Sequence, residues 1–381
     1  MAFPGLGQFS APGYPNNYIP GYAGDGENQK RFIIGYTLDE ASWATGNYLT
    51  VLGADKPRAF YPRYLSEDFA RVPHATGLDM VWANGAERPK AGEDPRFTNE
   101  EYKLERYGKT GFVGDQTEEY SEIGSQVTLL QETYAGQARI FRTIMTQTEM
   151  TTSANYASGN YYADWGDLAN DAVTQGYAAG YFGVAGTDTI TSGTVNDPLI
   201  YKFFDHAVRK ILLKSNGRIQ SKDLIAVMNP TTAARLAKTQ EIRVFNAQQS
   251  GSINYTQGKA PYEYWPTMGL PNPLYGLKIL VDPTVKVAAK QDHVNAGTQA
   301  FAIPDGQITI LARPGSITGV NGSVPFSSLV LWQHKKDAMK PMTEVDPFNK
   351  RIKVGFEDMF VVKLVGGDIS FNITDVFTAT V

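Results

Sequence analysis

The residues from Glu118 to Met150 constrain the fold more than any other stretch. They read EEYSEIGSQVTLLQETYAGQARIFRTIMTQTEM. Ile123, Val127, Leu130, Tyr134, Phe141 and Met145 recur at helical spacing, and Ala138 lies between the last pairs, so one apolar stripe runs the length of the segment. Glu118, Glu119 and Glu122 crowd the first turns, where acids suit the positive end of the helix dipole. Some thirty residues at 1.5 Å each predict a rod of roughly 45 Å, much longer than an average globular helix. Gly124 and Gly136 are the places where it could kink. Such a helix is either a strut across a flat domain or an ordinary core helix with frayed ends.

The chain has 381 residues, enough for two or three domains, and 42% hydrophobic residues, enough for a real core. Its 37 Gly and 21 Pro imply many turns and loops. No cysteine is present, which removes disulfides, thiolate metal sites and cysteine nucleophiles and fits a reducing cytoplasm. No apolar run approaches the roughly 18 residues of a membrane span. The start lacks a basic region followed by an apolar run, so no signal peptide is expected. Without secretion, the glycosylation patterns at Asn254, Asn321 and Asn372 carry no meaning. The net charge is −4, with no basic patch or tail of the kind that grips phosphates.

Residues 1–29 contain no Lys or Arg and show no period, which predicts an irregular arm. Either a neighbouring subunit or its own domain would hold such an arm in place. Residues 56–110 are dense in charge. The bases are Lys56, Arg58, Arg63, Arg71, Arg88, Lys90, Arg96, Lys103, Arg106 and Lys109; the acids are Glu67, Asp68, Asp79, Glu87, Glu93, Asp94, Glu100, Glu101 and Glu105. The signs nearly cancel and few apolar residues remain. Asn84-Gly85 and Asp94-Pro95 mark turns. The expectation is a two-stranded flap whose balanced charges match a partner surface, or else a solvated loop.

After the long helix, residues 151–195 are rich in Gly and Tyr. Asn196 and Asp197 are cap candidates before Pro198, and Ile200, Phe203, Phe204, Ala207, Val208, Ile211 and Leu212 form the stripe of a second helix, stopped at Asn216-Gly217. Residues 223–228 read as a short buried strand. Thr231 or Thr232 then caps a third helix running towards Phe245, and helix, strand and helix form a compact α/β unit. From Tyr275 onwards the chain is β-rich. Ile352, Val354 and Phe356 alternate with Lys353 and Glu357, and Phe360, Val362 and Leu364 follow, as in an antiparallel sheet with one solvated face.

The chemistry of catalysis is not visible. The histidines at 74, 206, 293 and 334 are not at metal-ligand spacing. His206 reads as structural. Gly5-Leu-Gly7 and Gly24-Asp-Gly26 neither follow a strand nor open a helix. The neighbouring acids Glu100/Glu101 and Glu118/Glu119 point in different directions, and Glu357-Asp358 reads as a turn or salt-bridging pair. The assigned catalytic, metal and cofactor residues are therefore none.

The order of parts resembles the major capsid proteins of tailed phages, which share the Hong Kong 97 fold. Arg139 to Met150 followed by Ala157-Ser-Gly-Asn160 and Trp165-Gly-Asp167 resembles the end of that family's spine helix and the loop after it. Asn196-Asp-Pro198 and Asp223 to Pro230 resemble the start of its axial domain. Ser328 to Phe371, centred on Lys350-Arg-Ile-Lys-Val354 and Phe360-Val-Val-Lys-Leu364, resembles its returning peripheral strands. The resemblance spans nearly the whole chain and rests on order and pattern.

It implies an α+β fold with an N-terminal arm (1–60), an extended β-hairpin loop or flap (61–116), a peripheral domain with the spine helix (117–195), an axial domain (196–335) and peripheral return strands (336–381). It implies a non-enzymatic head protein whose hexamers and pentamers close an icosahedral shell around double-stranded DNA. That DNA would be held without sequence-specific binding, in a virion assembled in the host cytoplasm and without a membrane. Scaffolding, portal and decoration proteins are the other implied partners; with no helical segment before the flap, any scaffold would be a separate protein. Some members crosslink a flap Lys to a neighbour's Asn; Lys90, Lys103, Lys109 and Asn349 are present here without that pattern around them. An encapsulin-type compartment is the alternative on the same fold, followed by an enzyme with an unrecognised site.

Overall fold

The computed structural model describes residues 44–64, 97–114, 116, 118, 126–168, 199–215, 217, 219–239, 241–244, 267–287, 299–316, 327–346 and 348–377. The arm up to residue 43, the centre of the flap, most of 151–195, the caps Asn196 to Pro198, Asn216, His74 and His293 lie outside the described residues. So do Glu119, Glu122, Ile123 and Gly124.

In chain order the elements are β1 (Leu49–Ala54), β2 (Arg58–Tyr64), β3 (Phe97–Lys103), β4 (Glu105–Gly114), α1 (Gln126–Thr151), β5 (Tyr161–Asp164), α2 (Leu199–Lys214), β6 (Leu224–Met228), α3 (Pro230–Ala237), β7 (Lys278–Val281), β8 (Val285–Val287), β9 (Gln299–Phe301), β10 (Ile308–Ala312), β11 (Leu329–His334), β12 (Lys340–Asp346), β13 (Arg351–Leu364) and β14 (Phe371–Asp375). They divide between two compact units, and α1 and β13 each contribute residues to both.

The first unit is built from β4, β12, β13 as far as Phe360, and α1 as far as Phe141. β13 is the middle strand, antiparallel to both neighbours: Val354 lies opposite Gly111 on β4 and Thr343 on β12. Residues opposite one another share a face. Ile352, Val354, Phe356 and Phe360 therefore face one way with Val113, Gly111 and Tyr107, and α1 covers that face. Phe141 packs edge-on to Tyr107 at 4.9 Å and to Phe360 at 6.1 Å. Gly111 leaves room for Tyr134 and Leu130; a Cβ there would run into the tyrosine hydroxyl. The helix stripe thus meets the sheet through Phe141 against Phe360 and through Tyr134 and Leu130 over Gly111. The other face carries Arg106, Lys353, Glu357 and Glu344, so the predicted greasy and charged faces are both found.

Three expectations are corrected here. Residues 105–114, read as part of the flap, form β4 and pair with ten residues of β13. Their exposed, charged sequence reflects an outer strand of a thin sheet. In the second half of α1, moreover, the buried face is not the Phe141–Met145 stripe, both of whose side chains are only half-buried. It is Arg142, Thr143, Thr146, Gln147 and Met150. Two of these polar groups meet partners remote in sequence: Thr143 bonds Thr45 at 2.9 Å and the Gln147 amide donates to Gln307 at 2.6 Å, while Thr146 donates back to Arg142 O within the helix. The helix starts at Gln126 rather than at Glu118 and has no acid in its first turn, so its 26 residues make a shorter rod than expected. Glu118 serves its N-terminus from outside, its carboxylate accepting the N–H groups of Gln126 (2.7 Å) and Val127 (3.1 Å).

The second unit centres on a five-stranded sheet in the order β5-β14-β10-β6-β7. β6 and β10 are buried along their whole length. α2 lays Ile200, Phe203, Phe204, Ala207 and Ile211 into the core, as its period predicts. Helix α2 ends at Lys214 and is closed by Gly217, whose positive φ lets its N–H return to Leu212 O at 2.8 Å. The cap of α3 is Asn229 rather than a threonine: Pro230 takes the first helical position, and the Asn229 side chain accepts from Thr232 N at 2.6 Å. Helix α3 stops at Ala237, well short of Phe245.

Strand β7 runs parallel to β6, and β14 runs parallel to β5 and antiparallel to β10. Phe371–Asp375 and Tyr161–Asp164 therefore belong to this buried sheet and not to the outer strands with which the sequence groups them. Phe371 is fully buried against Phe203, Tyr162 and His206, so its core partners decide its sheet.

Candidate assembly surfaces

The β2–β3 ribbon holds the described part of the flap. Its seven-residue register pairs Arg58 with Lys103 and Tyr64 with Phe97. Alternation puts Tyr61, Tyr102 and Glu100 on one face, and Arg58, Phe60 and Glu101 on the other. The first face is pinned: Trp332 of β11 stacks on Tyr61 at 5.1 Å and on Tyr102 at 5.0 Å. Tyr61 also donates to Glu100 at 2.5 Å. The second face is open, with Arg58 paired to Glu101 and Phe60 67% exposed. The base of the ribbon thus has an anchor within its own chain, which the count of apolar residues in this segment did not reveal.

On the charged face of the outer sheet, Arg106 pairs with Glu357 at 2.5 Å and reaches Asp337 at 3.8 Å. His334 Nδ1 lies 2.9 Å from the same Asp337. Asp358 accepts from Met339 N at 3.1 Å, so Glu357-Asp358 is the structural pair expected. Lys109 donates to Gln137 at 2.8 Å and lies over the Tyr134 ring. Burial and the Glu105 hydrogen bond push the Tyr107 phenol well above its usual range, so it stays neutral.

The β12–β13 hairpin ends in a stapled tip. The Asp346 carboxylate accepts from Asn349 N at 3.2 Å, Asn349 Nδ2 at 2.7 Å and Arg351 Nε at 3.1 Å. The Asn349 side chain foremost, with Arg351, holds that carboxyl below its ordinary range. Asn349 is thereby engaged within its own hairpin. Phe348 stands 96% exposed on this tip and Val345 68% exposed beside it. Nearby, Phe112, Val113, Leu129, Leu130 and Thr133 line a groove of about 330 Å³ between β4 and α1. The sequence reading passed over both; an aromatic between proline and asparagine in a turn was the available signal.

His206 is fully buried between the rings of Tyr162 and Phe371, in keeping with a structural role. Among the described residues no three His, Cys, Asp or Glu side chains form a metal-binding group. No described helix is long and apolar enough to cross a membrane.

The fold matches solved phage capsid subunits. The chain is similar to the subunit of the bacteriophage PhiM1 mature capsid, with 11% identity, 98% of each chain covered and a TM-score of 0.53. The chain has the Hong Kong 97-type capsid fold. It is similar as well to a phage-related protein from Bordetella bronchiseptica, at 10% identity over 90% of this chain and 95% of that one, with a TM-score of 0.52. The capsid of Ralstonia phage GP4 aligns at 9% identity over 90% and 92%, with a TM-score of 0.50. No family model and no curated protein matches the chain.

Proposed function

We propose that this chain is the major head protein of a tailed phage, many copies of which assemble into a closed icosahedral shell around double-stranded DNA. The observation that carries this reading is a shared fold extending over 98% of both this chain and the PhiM1 capsid subunit. The geometry suits the task. An anchored ribbon with an open aromatic face and a stapled hairpin tip give each subunit separate places to hold a neighbour. In this reading residues 1–43 lace subunits together and the ribbon overlies the adjacent copy. Hexamers and pentamers form the shell, portal and scaffolding proteins are separate chains, and assembly takes place in the host cytoplasm. The charge of −4 leaves the inner wall without a strong grip on phosphate, which favours packaging and release of DNA.

The test is to express the chain and image it by negative stain. Closed shells of uniform size are expected, and shells from infected cells should hold DNA. Soluble monomers with a catalytic turnover would overturn the reading. Shells that retain protein cargo and no DNA would point to the compartment alternative.

A further inference from the structure

We infer that Phe348 at the tip of the β12–β13 hairpin docks into the groove between β4 and α1 of a second copy of this chain. The inference rests on the shell reading and names one contact that would hold the shell together.

Phe348 is the most exposed large apolar side chain among the described residues, at 96%. A disordered tip could carry such a ring without consequence, but this tip is built. Asp346 gathers three hydrogen bonds from Asn349 and Arg351, and Lys350 adopts a left-handed φ of 45° to close the turn. Holding an aromatic ring rigidly in water has no benefit within the subunit. It does lower the ordering cost of docking, because the knob is already positioned. Val345, 68% exposed, extends the apolar surface along β12.

The same unit carries a matching hole. The groove at the start of α1 has apolar walls from Val113, Leu129 and Leu130 and a rim from Phe112 and Thr133. Its volume of about 330 Å³ lies at the small end of ligand sites and suits one aromatic ring better than a large molecule. The subunit's own Phe348 does not fill it, since that ring is almost wholly in solvent. Charge favours a copy of the chain as the occupant. The tip presents the exposed Lys350, and the helix beside the groove carries the exposed Glu132; Arg351, which lies over the Phe112 ring at the rim, has its charge paired by Asp346. A knob and a hole on different patches of one chain form a heterologous contact, which closes into rings when the rotation between copies closes.

The chain has no native cysteine, so the contact can be read directly. One preparation carries Val345→Cys, which leaves the Phe348 ring in place, a second Thr133→Cys, and the two are mixed, assembled and mildly oxidised. A disulfide-linked dimer is expected from the mixture and not from either alone, and not when Lys340→Cys replaces the Val345 variant. Separately, Phe348→Ser should leave the melting temperature of the subunit unchanged and lower assembled yield about tenfold, equivalent to about 1.4 kcal/mol. Normal assembly of Phe348→Ser, or no 345–133 link in assembled material, overturns the inference. If the parent chain forms no shells, the shell reading fails by itself; crosslinking in whatever soluble oligomer remains still supports the contact, and a strictly monomeric parent overturns it.

Discussion

The two units of this subunit solve the same problem differently. The second unit encloses its sheet: β6 and β10 are buried throughout, α2 packs five apolar side chains into the core, and Phe203, Phe371 and Trp165 are almost inaccessible. The first unit lays one helix on the β4, β13 and β12 part of a five-stranded sheet, with charged side chains on the other face. Of its aromatic residues Tyr134, Phe356 and Phe360 are buried, Phe141 is half-buried and Phe112 and Phe348 are exposed. The enclosed unit exposes large apolar side chains only outside that core, among them Phe60 on the ribbon and Leu213 on α2. A thin unit keeps apolar surface in reserve, and for a protein proposed to work only in many copies that reserve is where association energy comes from.

Substitutions can break or sharpen this contrast. The largest effect should come from Phe371→Ala in the enclosed unit. Losing a fully buried ring costs about 3–5 kcal/mol, and the variant should be recovered insoluble or with a strongly lowered melting temperature. A variant as stable as the parent would show β14 to be peripheral after all. Phe141→Ala in the thin unit removes a half-buried ring in contact with Tyr107 and Phe360. It should cost about half as much, roughly 1.5–3 kcal/mol, measured by urea denaturation of the soluble subunit. If the two costs are equal, the units are equally well packed and the comparison fails.

Trp332→Leu tests the ribbon. Two ring stackings of roughly 0.5–1.5 kcal/mol each should be lost. Amides in 58–64 and 97–103 should then exchange faster while those of β6 and β10 keep their protection. Arg106→Ala should matter least for folding, about 0–1 kcal/mol, because its pairs with Glu357 and Asp337 are largely exposed. An unfolded Arg106 variant would show the charged face to be structural.

The hairpin tip adds a dependence on pH. Asp346 has its carboxyl lowered by Asn349 and then by Arg351. A carboxyl that binds its proton more weakly when folded adds stability in full above its ordinary range and loses it as pH falls through the lowered value. Nuclear magnetic resonance should show Asp346 titrating below a peptide aspartate, and Asn349→Ala should move it back up. An unshifted Asp346 would mean that the tip is not stapled.

Much of the first unit was legible in advance because its signals are local. The alternation of Ile352, Val354 and Phe356 with Lys353 and Glu357 sets which face is dry, and the α1 stripe from Leu130 to Phe141 finds that face. The helix α2 and the buried strand β6 were legible for the same reason: a strong period leaves one way to hide the apolar side chains. The chain also determined by itself that no thiol chemistry is available.

What only the tertiary structure decided are the pairings between segments remote in sequence. Nothing local to Phe371 says that it lies beside Ile310, or that β5 completes the same sheet. Nothing near Thr143 and Gln147 says that a polar helix face is the buried one, because its partners Thr45 and Gln307 come from elsewhere. The cap of α2 shows the same limit: Glu241, forty residues on, accepts the N–H groups of Ile200 and Tyr201. Periodicity reports which side of an element avoids water. Which remote group then meets that side is fixed by the packing of the whole chain, where each buried polar atom must find its partner and each ring its neighbours.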